Sequence, residues 1–122
     1  MNSPYKNKKG ITRILSAFKN SAYGLKNTFN NEESFRQELI LTIILTPLAI
    51  CIGDNHIERI FLITSLILLL IVELINTAIE IVVDRVSYEK NDLSKLAKDI
   101  GSAAVLIAFL YCFIVWFFIL FS

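Results

Sequence analysis

Glycine and proline are scarce in this chain: four glycines and two prolines among 122 residues. A Walker-type phosphate loop needs glycines at fixed spacing ahead of a lysine. None of Gly10, Gly24, Gly53 or Gly101 is so placed, which excludes that route to nucleotide binding. Cysteine is almost absent. Cys51 and Cys112 fall in apolar runs without His or Cys neighbours, which argues against a disulfide framework and a metal motif. Both are expected to be inert buried thiols. The lone histidine, His56, lies in a polar stretch and reads as solvent-exposed. No internal repeat or low-complexity tract is visible. Twelve basic and eleven acidic residues leave no dominant charge, which by itself argues neither for nor against nucleic acid; no nucleic-acid partner is expected of a chain this apolar. The basic, polar start is too long before its first apolar run for a cleaved signal peptide.

What the chain does have is apolar mass. Hydrophobic residues make up 55% of it, and its mean hydropathy is +0.60. These values belong to membrane proteins, and the length leaves room for one small domain. The expected class is all-α and integral to the membrane. Ile11, Ile14, Leu15, Phe18, Ala22, Leu25 and Phe29 recur at three- and four-residue steps, with Arg13, Lys19 and Lys26 on other faces. That pattern predicts an amphipathic surface helix over 10–30, weakened at Gly24. Three spans follow at 33–52, 60–83 and 100–121. In the first, the uninterrupted apolar part is short. Arg36 and Glu38 are therefore expected among the headgroups, and Pro47 can kink the outer half. Seven Lys and Arg precede Leu39, one lies between the first two spans, and four follow the second: Arg85, Lys90, Lys95 and Lys98. The positive-inside rule then predicts a cytosolic N-terminus and an external C-terminus.

The middle span carries Glu73, Asn76 and Glu80 on one helical face. A carboxylate near a bilayer centre costs about 2.5–3.5 kcal/mol on insertion scales, so such a stripe is a functional site by default. At 1.5 Å rise per residue, Glu80 lies about 6 Å from Asp84 and Glu73 about 16 Å from it. Glu32 starts the first span at a depth similar to Glu80. Two carboxylates at one depth suit a hard divalent cation, and the second loop's cations suit an anionic group above it. That combination fits phosphoryl transfer, in which a metal neutralises phosphate charge and a carboxylate orients the hydroxyl nucleophile. Other readings stay open. Glu73 can bond Asn76 and hold an oligomer together, Glu80 and Asp84 can be interfacial charges, and intramembrane acids also serve proton or ion conduits. Gly101 to Ala104 reads most simply as a close helix-packing surface. Protein-kinase signatures are absent. A nucleotide site would have to be built from helix ends and the second loop.

Two long stretches resemble the small integral-membrane diacylglycerol kinases of bacteria: Glu73-Leu-Ile-Asn76-Thr-Ala-Ile-Glu80-Ile-Val-Val-Asp84-Arg85 and Leu96-Ala-Lys98-Asp99-Ile-Gly101-Ser102-Ala-Ala-Val105. Thr12-Arg13-Ile14, Asn31-Glu32 and Phe35-Arg36-Gln37-Glu38 fit as well. Undecaprenol kinases share the Glu-x-x-Asn-x-x-x-Glu core. The other pieces look more like the diacylglycerol branch. The resemblance implies a single membrane kinase domain over 1–122 in the bacterial inner membrane. It implies a homotrimer that transfers the ATP γ-phosphate to diacylglycerol to give phosphatidic acid. By that likeness Glu73 is the catalytic base with Asn76 in support, and Glu32 and Glu80 hold Mg²⁺. Arg13, Asn20, Glu89, Lys98 and Asp99 would contact ATP. Phe35, Arg36, Gln37, Glu38, Ser102 and Trp116, with Glu73, would line the lipid path.

Overall fold

A computed structural model describes residues 9–86 and 91–122. It is built of four helices: α1 (Gly10–Asn31), α2 (Glu33–Ile52), α3 (His56–Val86) and α4 (Asp92–Leu120). Two compact units result, Met1–Glu33 and Ser34–Ser122.

The first unit is α1. It starts at Gly10, whose φ of 62° is a conformation that only glycine adopts at no steric cost. It ends at Glu32, whose backbone N–H donates to the Thr28 carbonyl at 2.8 Å. The spacing of its apolar residues keeps them on one stripe. None of the helix is buried, and Ile11, Ile14, Leu15 and Phe18 are all exposed. An uncovered apolar stripe backed by Arg13, Lys19 and Lys26 suits a helix lying in the membrane interface.

The second unit holds α2, α3 and α4. All three are long and apolar enough to cross a bilayer. The chain is therefore an all-α integral membrane protein. Most of its large apolar side chains face outward, where lipid rather than water is the solvent. α2 continues through Pro47, with the Thr42 and Thr46 hydroxyls donating to the carbonyls of Glu38 and Thr42 at 2.8 and 2.7 Å. The turn from α2 to α3 is tight. Gly53 N–H donates to Ala49 O at 3.0 Å, and Arg59 Nε donates to Ile50 O at 3.0 Å, closing carbonyls that the helix end leaves open. A Cβ on the buried Gly53 would meet Ala49 O at 3.1 Å and Arg59 N at 3.2 Å, so this close approach needs glycine. Asn55 Oδ1 then accepts from Glu58 N–H at 2.9 Å and caps α3. α4 is capped in the same way by Asn91, which accepts from Leu93 and Ser94 N–H.

α3 is the spine. Leu62, Leu66 and Leu69 are its buried apolar residues, and α4 packs along it. Ser65 Oγ donates to Leu62 O at 2.8 Å and lies 3.6 Å from Cys112 Sγ. Trp116 Nε1 donates to Leu62 O at 3.3 Å. Leu41, Leu45, Leu66, Leu69, Phe109, Cys112, Phe113 and Trp116 line an open apolar cavity of about 180 Å³. The cysteines correct one expectation. Both are free, but Cys51 is exposed and Cys112 only half-buried, because Cys51 sits on the outward face of α2.

Candidate active site

The buried stripe of α3 changes character partway along. Leu62, Leu66 and Leu69 give way, at the same three- and four-residue steps, to Glu73, Asn76 and Glu80. Glu73 is 7% exposed and Asn76 8%, while Glu80 is half-buried. Polar groups so placed are tolerated only with partners or a purpose.

Three partners meet the buried pair Glu73 and Asn76 and its surroundings. The first is α2. Phe35 and Glu38 are buried, and the Glu38 carboxyl lies within hydrogen-bonding reach of the Glu73 carboxyl. Its Oε2 is buried without a hydrogen bond. The rotation of α2 turns Glu38 into the protein, so two acids from different helices face each other. The second partner is Glu80, whose Oε1 accepts a long 3.4 Å bond from Asn76 Nδ2. The third is α4. Lys98 Nζ lies 2.6 Å from Asp84 Oδ1, one turn above Glu80, and also feels the Glu80 charge. This ion pair ties the end of α3 to the start of α4. Lys98 is half-buried and Asp99 exposed, and Asp99 pairs with Lys95 at 2.6 Å.

Glu38, Glu73, Asn76, Glu80 and Lys98 are thus brought to one end of the three-helix unit. Arg36 and Gln37 flank Phe35 on α2, half-buried and exposed. Ser102 is exposed on α4 next to the buried Gly101. Trp116 belongs to the other end. Its bond to Leu62 lies 11 residues, or about 16 Å, along α3 from Glu73. Arg13, Asn20 and Glu32 belong to the first unit, the first two exposed and Glu32 half-buried at the C-cap of α1. Glu89 lies outside the described residues.

Two residues of this end had no role in the sequence reading. Asp84 marked only a membrane boundary, although opposite charges at Asp84 and Lys98 flanking one loop are a signal that could have joined them. Gly101 read as packing, yet Asn76 Oδ1 lies where a Cβ on Gly101 would project. Nothing in the spacing of one helix reveals that.

The arrangement defines a class: a three-span membrane protein whose bundle holds an acidic, amide-bearing cluster at one end, with a lysine above it. The sequence matches the prokaryotic diacylglycerol kinase family over residues 19–120. It is similar to the diacylglycerol kinase of Haemophilus influenzae, 46% identical over 107 residues, covering 88% of this chain and 91% of that one. The diacylglycerol kinase of Pseudomonas aeruginosa is 44% identical to it over 114 residues, 93% of each chain. That of Escherichia coli K12 is 44% identical over 116 residues, 95% of each chain. The chain belongs to the prokaryotic diacylglycerol kinase family.

Proposed function

We propose that this protein is a lipid kinase that transfers the γ-phosphate of ATP to the hydroxyl of diacylglycerol, giving phosphatidic acid. The observation that carries this reading is the run from buried Glu73 and Asn76 through half-buried Glu80 to Lys98, in a chain of this family. Residues 1–122 act as one membrane kinase domain in the bacterial inner membrane, with the N-terminus cytosolic and the C-terminus outside. The distribution of Lys and Arg supports that orientation.

In this reading each group has a task. Glu73, set deepest, accepts the hydroxyl proton and orients the hydroxyl. A loose phosphoryl-transfer transition state asks more for orientation than for basicity. Asn76 supports the reacting groups beside it. Lys98 and Asp99, with Arg13, Asn20 and Glu89, contact ATP. An ammonium already 2.6 Å from Asp84 can exchange that carboxylate for phosphate oxygens at small cost, because the pair is half exposed. Glu32 and Glu80 would hold Mg²⁺, which when bound neutralises charge on the phosphates. Mg²⁺ is commonly held by one or two carboxylates plus phosphate oxygens and water, and these two side chains offer that kind of donor. Phe35 to Glu38, Ser102 and Trp116 line the lipid path, and the apolar cavity beside Trp116 suits an acyl chain. A homotrimer is the natural assembly, since three spans are few to wall in a lipid and a nucleotide. The named relatives give no support to undecaprenol phosphorylation or to an ion conduit.

The test offers purified protein Mg·ATP with diacylglycerol or undecaprenol in mixed micelles. Phosphatidic acid is the expected product. A folded sample that makes none, or that prefers undecaprenol, overturns the reading. Cysteine labelling of the Arg85–Lys98 connection, expected from the cytosolic side only, checks the orientation.

A further inference from the structure

We infer that Gly101 is a positioning residue: the space left by its missing side chain is the socket that holds the Asn76 amide against Glu80. The inference rests on the kinase reading for its consequence, though not for its geometry. Gly101 is buried on α4 where that helix meets α3. A Cβ built on it would collide with Asn76 Oδ1 and would come within 3.3 Å of Asn76 Cγ. Asn76 is 8% exposed, and its Oδ1 is buried with no hydrogen bond. Its Nδ2 points the other way, to Glu80 Oε1 at 3.4 Å. The amide is therefore gripped from one side by shape and held from the other by a single long bond.

A buried carbonyl oxygen without a donor is costly, and helices in a membrane readily offer alternatives. The amide nonetheless stays, because rotating it would lose Glu80. A cavity of about 140 Å³ adjoins the socket, lined by Val72, Ile75, Asn76, Ile79, Gly101 and Ala104. It gives the side chain somewhere to go. Alanine at position 101 would therefore be accommodated by the flexible Asn76 side chain swinging into that cavity, not by the helices parting. The fold survives and the Asn76–Glu80 bond does not. Small misplacements of a positioning group can cost about 100-fold in rate.

The experiment uses the full-length protein in micelles with four chains: wild type, Gly101→Ala, Asn76→Ala and the double variant. Gly101→Ala should lower kcat about 100-fold, with KM for Mg·ATP and diacylglycerol within about threefold. The ¹⁵N side-chain amide resonance of Asn76 should move. Thermal stability lost in Gly101→Ala should be regained in the Asn76→Ala background, where nothing fills the socket. An unmoved Asn76 resonance overturns the inference, as does an equal stability loss in both backgrounds. If Gly101→Ala does not fold, folding of the double variant supports the socket, and its failure overturns it. Wild-type protein inactive on diacylglycerol would sink the kinase reading alone, because the resonance and the stability cycle still decide the role of Gly101.

Discussion

Replacing Glu73 by glutamine separates chemistry from architecture. The side chain is 7% exposed and lies against Glu38 on the neighbouring helix. Glutamine has the same shape, so no cavity opens, and its amide can donate to the Glu38 carboxyl. Folding and assembly should therefore be preserved. What disappears is the proton acceptor. Removing a general base typically costs about 10²–10⁴ in rate, or about 2.7–5.4 kcal/mol of barrier. The loose transition state of phosphoryl transfer points to the lower end, a fall of about 100-fold. The assay follows phosphatidic acid from Mg·ATP and diacylglycerol in mixed micelles, with size-exclusion elution reporting assembly. KM values should change little, since the lost contact forms with the reacting hydroxyl. Glu73→Gln protein that assembles normally and retains turnover within about threefold of wild type would remove Glu73 from the proposed role. Glu73→Ala is a poorer probe. It leaves a void and deprives Glu38 of its neighbour, so loss of activity there would not distinguish the two causes.

Two further outcomes are expected. Lys98→Gln should raise KM for ATP while leaving thermal stability nearly unchanged, because its 2.6 Å pair with Asp84 is half exposed and such pairs contribute little to folding. A large loss of stability with unaltered KM would instead make Lys98 a structural tie. Trp116→Phe keeps an aromatic ring in the apolar cavity but removes the 3.3 Å bond to Leu62 O. Hydrogen bonds between membrane helices average about 0.6 kcal/mol, so unfolding in denaturing detergent should shift by about that amount. A loss of several kcal/mol there would mean that the indole does more than this bond.

Much of the fold was legible because helical periodicity is a local property. The 3.6-residue repeat placed Glu73, Asn76 and Glu80 on one face, and they do line one face of α3. Apolar length alone predicted three helices able to span a bilayer, and the described residues hold three. Helix ends were less legible. α3 begins at His56 and not near Ile60, because the Asn55 cap starts it before the apolar run does. Cys51 and Glu38 illustrate the harder problem. Cys51 sits in an apolar run yet faces outward, and Glu38 sits at the polar start of its span yet faces Glu73.

Composition and spacing by themselves determined an all-helical membrane protein, the polar face of its middle span, and through two long motifs its family. Tertiary structure alone decided which side chains meet across helices: Glu38 with Glu73, Asp84 with Lys98, and Asn76 with the bare backbone of Gly101. The reason is physical. A residue's place on its own helix follows from the fixed turn of the backbone. The face that helix presents to its neighbours depends on rotation and close packing, which every side chain in the bundle sets together.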